Sequence, residues 1–148
     1  MEAMNPYYTF IEHRKTCEMI LREFGLDPSV SHIINGHVPV RLKQGENPVK
    51  GEGLLFMIDG GISKAYQQQT GIGGYTFIAN SRYLALAEHK PLQPGSLFGE
   101  DAPKVRVVET IPQRITVADT DTGKELAAQI EDLTALLDCY RTGAIKEK

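Results

Sequence analysis

The run Gly53-Leu54-Leu55-Phe56-Met57-Ile58-Asp59-Gly60-Gly61 decides how this chain is organised. Five apolar residues follow Gly51-Glu52-Gly53 and stop at a turn-forming Asp-Gly-Gly. The run is short, and no polar residue alternates with its apolar ones. Both of its faces must therefore be covered, which is the pattern of a central strand.

Working outward, an amphipathic helix is expected upstream, from about Thr9 to Phe24. Phe10, Cys17, Ile20, Leu21 and Phe24 repeat at helical spacing, and charged residues fill the other side. Gly25 and Pro28 then stop it. Cys17 lies on the apolar face and reads as a core residue. His32-Ile33-Ile34-Asn35 reads as a short strand leading into the turn Gly36-His37-Val38-Pro39. Downstream, Tyr75 to Ala79 and Tyr83 to His89 read as strands joined by a tight hairpin at Asn80-Ser81-Arg82. The Pro- and Gly-rich stretch 90–103 reads as loop. Lys104 to Thr110 and Arg114 to Val117 read as further short strands.

The last element is a helix from about Gly123 to Tyr140, with Thr122 and Glu125 as its capping box. Leu126, Ile130, Leu133, Leu137 and Tyr140 form a stripe with spacings 4, 3, 4 and 3. Such a stripe packs on the chain's own sheet, on another subunit, or on a part of the same protein outside this chain. The expectation is one α+β domain over 1–148: a helix at 9–24, mainly strands and loops over 32–117, and a helix at 123–140.

Bulk properties narrow the function. The 148 residues are 41% apolar and 24% charged, as in soluble globular chains. A net charge of -3 gives no electrostatic case for nucleic acid. No apolar run reaches the roughly 20 residues of a membrane helix, and the first residues do not read as a signal peptide. Two distant cysteines without CxxC spacing suit a reducing cytosol.

The sharpest chemical signal is the Gly36-His37-Val38-Pro39 turn. Glycine permits a sharp bend and proline stiffens the exit, so an imidazole is held on a rigid loop at the end of a strand. That is how a metal ligand is presented, although a lone histidine on a turn is often only a surface residue. Asp59 follows the central strand and could orient His37, or simply shape a turn. Arg41, Lys64 and Tyr66 lie near these segments and could contact a sugar phosphate. Gly71, Gly73 and Gly74 make neither GxGxxG nor a Walker loop, and serve turns.

Several blocks in order carry a resemblance: Asn5-Pro6-Tyr7-Tyr8, His32 to Val40, Glu46-Asn47-Pro48-Val49-Lys50, Ile58 to Gln67, and Thr70 to Thr76. From Asn5 to about His89 the chain resembles class 3 fructose-1,6-bisphosphatases, which belong to the calcineurin-like metallophosphatases. The resemblance implies part of a two-layer calcineurin-like β-sandwich flanked by N- and C-terminal helices. It implies manganese-dependent hydrolysis of fructose 1,6-bisphosphate in gluconeogenesis, in the cytoplasm, with His37 as the last metal-binding histidine of the superfamily.

The superfamily also requires Asp-x-His, Gly-Asp-x-x-Asp and Gly-Asn-His-Glu motifs, and none occurs in this chain. One imidazole cannot hold two divalent ions. The expectation is a C-terminal portion with an incomplete metal site, inactive and metal-free alone, with no catalytic residue assigned. Self-association, or pairing with the missing N-terminal portion, is expected of its uncovered apolar surface. The alternatives are a non-catalytic remnant that binds a sugar phosphate or a partner, and another calcineurin-like phosphatase.

Overall fold

The apolar run at 54–58 supplies the middle strand of a three-stranded sheet in the computed structural model, which describes residues 5–61, 70–71, 73–90 and 102–146. The strand is β3, Leu55–Met57. On one side it pairs in parallel with β1, Ile33–Asn35, and Ile34 stands opposite Phe56. On the other it pairs antiparallel with β2, Val49–Lys50. All three β3 residues are buried, and the strand's two-residue period explains how. Leu55 and Met57 point into a cluster with Ile11, Cys17, Leu21 and Val40. Phe56 points the opposite way, into a cluster with Leu84 and Leu86.

The second cluster belongs to a second sheet, antiparallel throughout, made of β4 (Gly74–Ala79), β5 (Tyr83–His89) and β6 (Lys104–Thr110). The expected hairpin joins β4 to β5. Asn80 Oδ1 closes it, accepting from the backbone N–H groups of Arg82 at 2.8 Å and Tyr83 at 3.0 Å. The register of β5 against β6 slips between Leu84 and Ala85, which marks a bulge. The Phe56 and Phe77 rings meet with centroids 4.8 Å apart. His32 and Glu109 tie β6 to the start of β1, Nε2 to Oε2 at 3.0 Å.

The N-terminal helix is not continuous over 9–24. It divides into α1, Tyr7–Phe10, and α2, Arg14–Glu23. His13 takes an extended conformation at the start of α2, and this break turns Ile11 into the core at 1% exposed. The buried positions are then Ile11, Cys17 and Leu21, whereas Phe10 and Phe24 face solvent. Cys17 is a core residue as expected. Its thiol donates to the Ile11 carbonyl at 3.4 Å, and burial pushes its pKa up.

The chain divides into two compact units, up to Thr110 and from Ile111, where a single domain is the expectation. The second unit packs locally. Residues 114–117 are not a strand, because Thr116 and Asp119 cap a 3-10 turn, Val117–Asp119, and take up the local backbone bonding. The final helix, α3, spans Asp121–Arg141, and its cap is Thr120, whose Oγ1 accepts from Gly123 N at 3.0 Å. The cap falls two residues before the expected one because Gly123 lies against the 3-10 turn. A Cβ there would sit 1.7 Å from the Val117 carbonyl oxygen. Beyond that turn the α3 stripe is exposed, with Ile130 63% and Leu133 64% accessible.

Gly51 offers a test of how tightly the first cluster is built. Its φ is +54°, and an added Cβ would lie 2.5 Å from the buried Cys17 Sγ. Gly51→Ala is expected to cost about 2–4 kcal/mol, combining left-handed strain with overpacking. Pairing it with Cys17→Ala relieves the collision. In urea unfolding, the double variant should lose at least about 1 kcal/mol less than the two single losses added together. Simple additivity would show that the contact is not tight.

Candidate functional site

Parallel pairing of β1 with β3 brings the chain ends that follow them to one edge. Asn35, Gly36 and His37 leave β1 beside Ile58 and Asp59, which leave β3. Two backbone bonds fasten the exits together: Ile58 N–H donates to Asn35 O, and Val40 N–H donates to Asp59 O, both at 2.8 Å. The residues between are bent hard. Val38 N–H donates to Gly36 O at 2.9 Å, two residues back, and His37 in the middle has φ +72°. This is a γ-turn in the left-handed region, a rare and strained conformation for a residue with a Cβ. Strain of this kind persists only where the surroundings over-determine it, and it concentrates at functional sites.

The supports are visible. Asn35 Nδ2 donates to the Tyr7 hydroxyl at 2.9 Å, anchoring the end of β1 to α1. Asp59 Oδ1 accepts from Gly61 N at 2.7 Å, shaping the β3 exit. Thr70, 3% exposed, donates from Oγ1 to Gly60 O at 2.7 Å. Val40 is fully buried below. His37 itself is exposed at the top of this platform.

The residues named from sequence are brought together unequally. His37 and Asp59 share the platform through backbone bonds, and the Asp59 carboxylate is used by its own turn. Arg41 N–H donates to Glu46 Oε2 at 2.9 Å and starts a 3-10 turn, Leu42–Gln44. Lys64 and Tyr66 lie outside the described residues. Among the described residues no three His, Cys, Asp or Glu side chains group as metal ligands. The described residues therefore do not by themselves fit a binuclear metal centre.

Sequence reasoning did not single out Lys50. It is 6% exposed, and its ammonium donates to Glu12 Oε1 and, at 3.2 Å, pairs with Glu46 Oε1. Burial alone would depress this lysine, but the two carboxylates outweigh it and raise the pKa above 10.5. Only the four-residue offset of Glu46 from Lys50 hinted at this; Glu12 arrives from a distant segment. Tyr75 was also missed. Its hydroxyl is buried without a hydrogen-bond partner among the described residues, and burial pushes its pKa up to about 12.

Residues 1–142 match the family model described as Firmicute fructose-1,6-bisphosphatase. The chain belongs to that family. Proteins named fructose-1,6-bisphosphatase class 3 are similar along its whole length. The one from Finegoldia magna is 47% identical over 147 residues, 99% of this chain and 23% of its own. The one from Clostridium novyi is 48% identical over 152 residues, all of this chain and 23% of its own. A Clostridium botulinum protein is 49% identical over 151 residues, again 23% of its length. The chain thus spans about a quarter of the length of the curated relatives it matches. No solved structure matches it. No helix among the described residues is long and apolar enough to cross a membrane.

The raised pKa values of Cys17, Lys50 and Tyr75 act in one direction, and the unfolded Cys17 thiol is the first to release its proton, near 9.0. Lys50 contributes stability in full below 10.5, and loses it as pH rises through its higher folded value. The unfolded Tyr75 releases its proton near 10, whereas the folded one keeps it to about 12, so unfolding is favoured increasingly across that interval. The melting temperature should therefore begin to fall above about pH 9 and fall most steeply between 10 and 12. Tyr75→Phe should make that fall shallower, and an unchanged slope would reject the assignment.

Proposed function

We propose that this chain forms one segment of a class 3 fructose-1,6-bisphosphatase, a phosphoric monoester hydrolase acting on fructose 1,6-bisphosphate, and that it does not turn over substrate alone. One observation carries the reading: the relatives bearing that name match this chain from end to end, yet extend far beyond it. The reaction splits a phosphate ester into fructose 6-phosphate and phosphate. It belongs to gluconeogenesis and the cytoplasm.

His37 is one ligand of a manganese centre whose other ligands lie in the rest of the family's polypeptide. Its support is the γ-turn, which fixes the imidazole before any ion arrives and so removes an ordering cost from binding. What this chain does is hold that ring in place. Asn35 and Tyr7 brace the strand before it, and the Val40 to Asp59 bond closes the loop after it. Asp59 shapes the neighbouring turn, and its proposed part is to orient His37. Arg41, Lys64 and Tyr66 are the residues offered to the sugar phosphate. The two sheets meeting at Phe56 and Phe77 are part of a calcineurin-like sandwich. The exposed α3 stripe is where self-association, or docking of the remaining polypeptide, takes place.

Assaying phosphate release from fructose 1,6-bisphosphate with manganese tests this. The 148-residue chain should give none. In the whole enzyme, His37→Ala should lower kcat at least about 10–100-fold, the loss typical of disturbing even the surroundings of a metal ligand. Turnover by the chain alone that survives His37→Ala would overturn both parts. Binding of the sugar phosphate by the chain without any role in turnover would mark a non-catalytic module instead.

A further inference from the structure

The stripe on α3 is uncovered along its length. Among the described residues of this helix, only Gly123 is buried. Leu126, Ile130, Leu133, Leu136, Leu137 and Tyr140 are between 42% and 64% exposed. A helix in a folded protein draws most of its stability from packing an apolar face, and a contiguous apolar patch at the surface marks a place of association.

The spacing says what kind of surface fits. Steps of 4, 3, 4 and 3 from Leu126 to Tyr140 give a period of 3.5 residues. Side chains at that period interlock with those of a second helix carrying the same repeat. In heptad terms Ile130 and Leu137 take the a positions, and Leu126, Leu133 and Tyr140 the d positions. Isoleucine at a between leucines at d favours two strands.

Charge then selects the second helix. Over Asp121–Arg141 there are five acids, Asp121, Glu125, Glu131, Asp132 and Asp138, against two bases, Lys124 and Arg141. All five acids fall at the outward b, c and f positions. The e and g positions, which flank the seam and set partner choice, hold Thr122, Ala127, Gln129, Thr134 and Leu136. Arg141 ends the e row and pairs with Asp138 of its own helix at 3.7 Å. The Thr134 hydroxyl is satisfied internally, donating to the Ile130 carbonyl at 2.7 Å. An acidic helix that recognised a basic partner would carry its acids on the flanks. α3 keeps them away from the seam, so an identical helix can lie against it without like charges meeting.

We propose that two copies of the protein pair through α3 as a two-stranded coil. Leu133 is the middle of the five seam residues, so it faces the partner's Leu133 whichever way the helices run. The proposal rests on the reading of the stripe as an association surface, and names its occupant as a second copy and not the remaining polypeptide.

Sedimentation equilibrium of the 148-residue chain should give a mass near 16.4 kDa at about 1 µM, rising towards twice that by about 1 mM. Leu133→Glu and Leu133→Lys each set two like charges face to face and should weaken pairing at least about tenfold. An equimolar mixture of the two variants should recover the dimer, which misfolded chains could not do. Asp132→Asn, on the outward side, should leave pairing unchanged. In the whole enzyme, Leu133→Cys on a Cys139→Ser background should link two polypeptides on mild oxidation, beyond what the background forms. A mass fixed at 16.4 kDa, a mass passing beyond twice that value, or a mixture that stays monomeric would each overturn the proposal. So would a whole enzyme that gains no link, because its own polypeptide would then cover the stripe. None of these measurements reads phosphate release, so turnover by the chain alone would reject the hydrolytic reading and leave the pairing standing.

Discussion

The burial of β3 on both faces is the constraint on which the rest of the first unit depends. Leu55 and Met57 need the α1–α2 segment on one side, and Phe56 needs the second sheet on the other. Removing water from a large apolar side chain stabilises by roughly 1.5–3 kcal/mol. Three such residues in adjacent positions hold two layers to one strand. That central strand fixes the position of everything at its end. β1 lies parallel to it, so the loops after both strands emerge at the same edge. An antiparallel arrangement would send Gly36-His37 to the opposite edge from Asp59.

The His37 turn shows how rigidity is obtained at that edge. A left-handed residue with a Cβ is disfavoured by about 1–2 kcal/mol relative to ordinary backbone, and nothing local compensates for it. Compensation comes from the neighbours: a parallel ladder before the turn, an inter-segment backbone bond after it, and the Tyr7 hydroxyl under Asn35. Glycine at 37 would relax the turn, but would carry no imidazole. The strain falls on a histidine, a residue type suited to metal ligation, and that is what connects the geometry to the proposed chemistry.

Much of this was legible in sequence, and the reason differs from place to place. The 54–58 run, the Asn80-Ser81-Arg82 hairpin and the Lys104 to Thr110 strand are set by local pattern and turn chemistry, and the structure has them where expected. The GHVP turn was visible as a stiff presentation of His37, but its positive φ was not, because that follows from tertiary pinning. The break at His13 was hidden, since helical spacing from Phe10 to Phe24 looks continuous until Ile11 is required in the core. The Thr120 cap was hidden too. Thr122 and Glu125 satisfy the same motif, and only the close approach of Gly123 to Val117 decides between them. The grouping of Lys50 with Glu12 depends on residues far apart in sequence, which no periodicity can bring together.

Lys50 and Tyr75 also show two outcomes for a buried polar group. Lys50 is the more expensive group to bury, and the fold gives it two carboxylates, so its charge is matched and its position explained. Tyr75 is cheaper to satisfy, because any nearby carbonyl would do, yet its hydroxyl has no partner among the described residues. A fold that supplies two acceptors to one buried group and none to another is not simply poor at satisfying hydrogen bonds. The difference marks Lys50 as part of the scaffold, whereas the buried Tyr75 hydroxyl is a cost that the described residues do not offset.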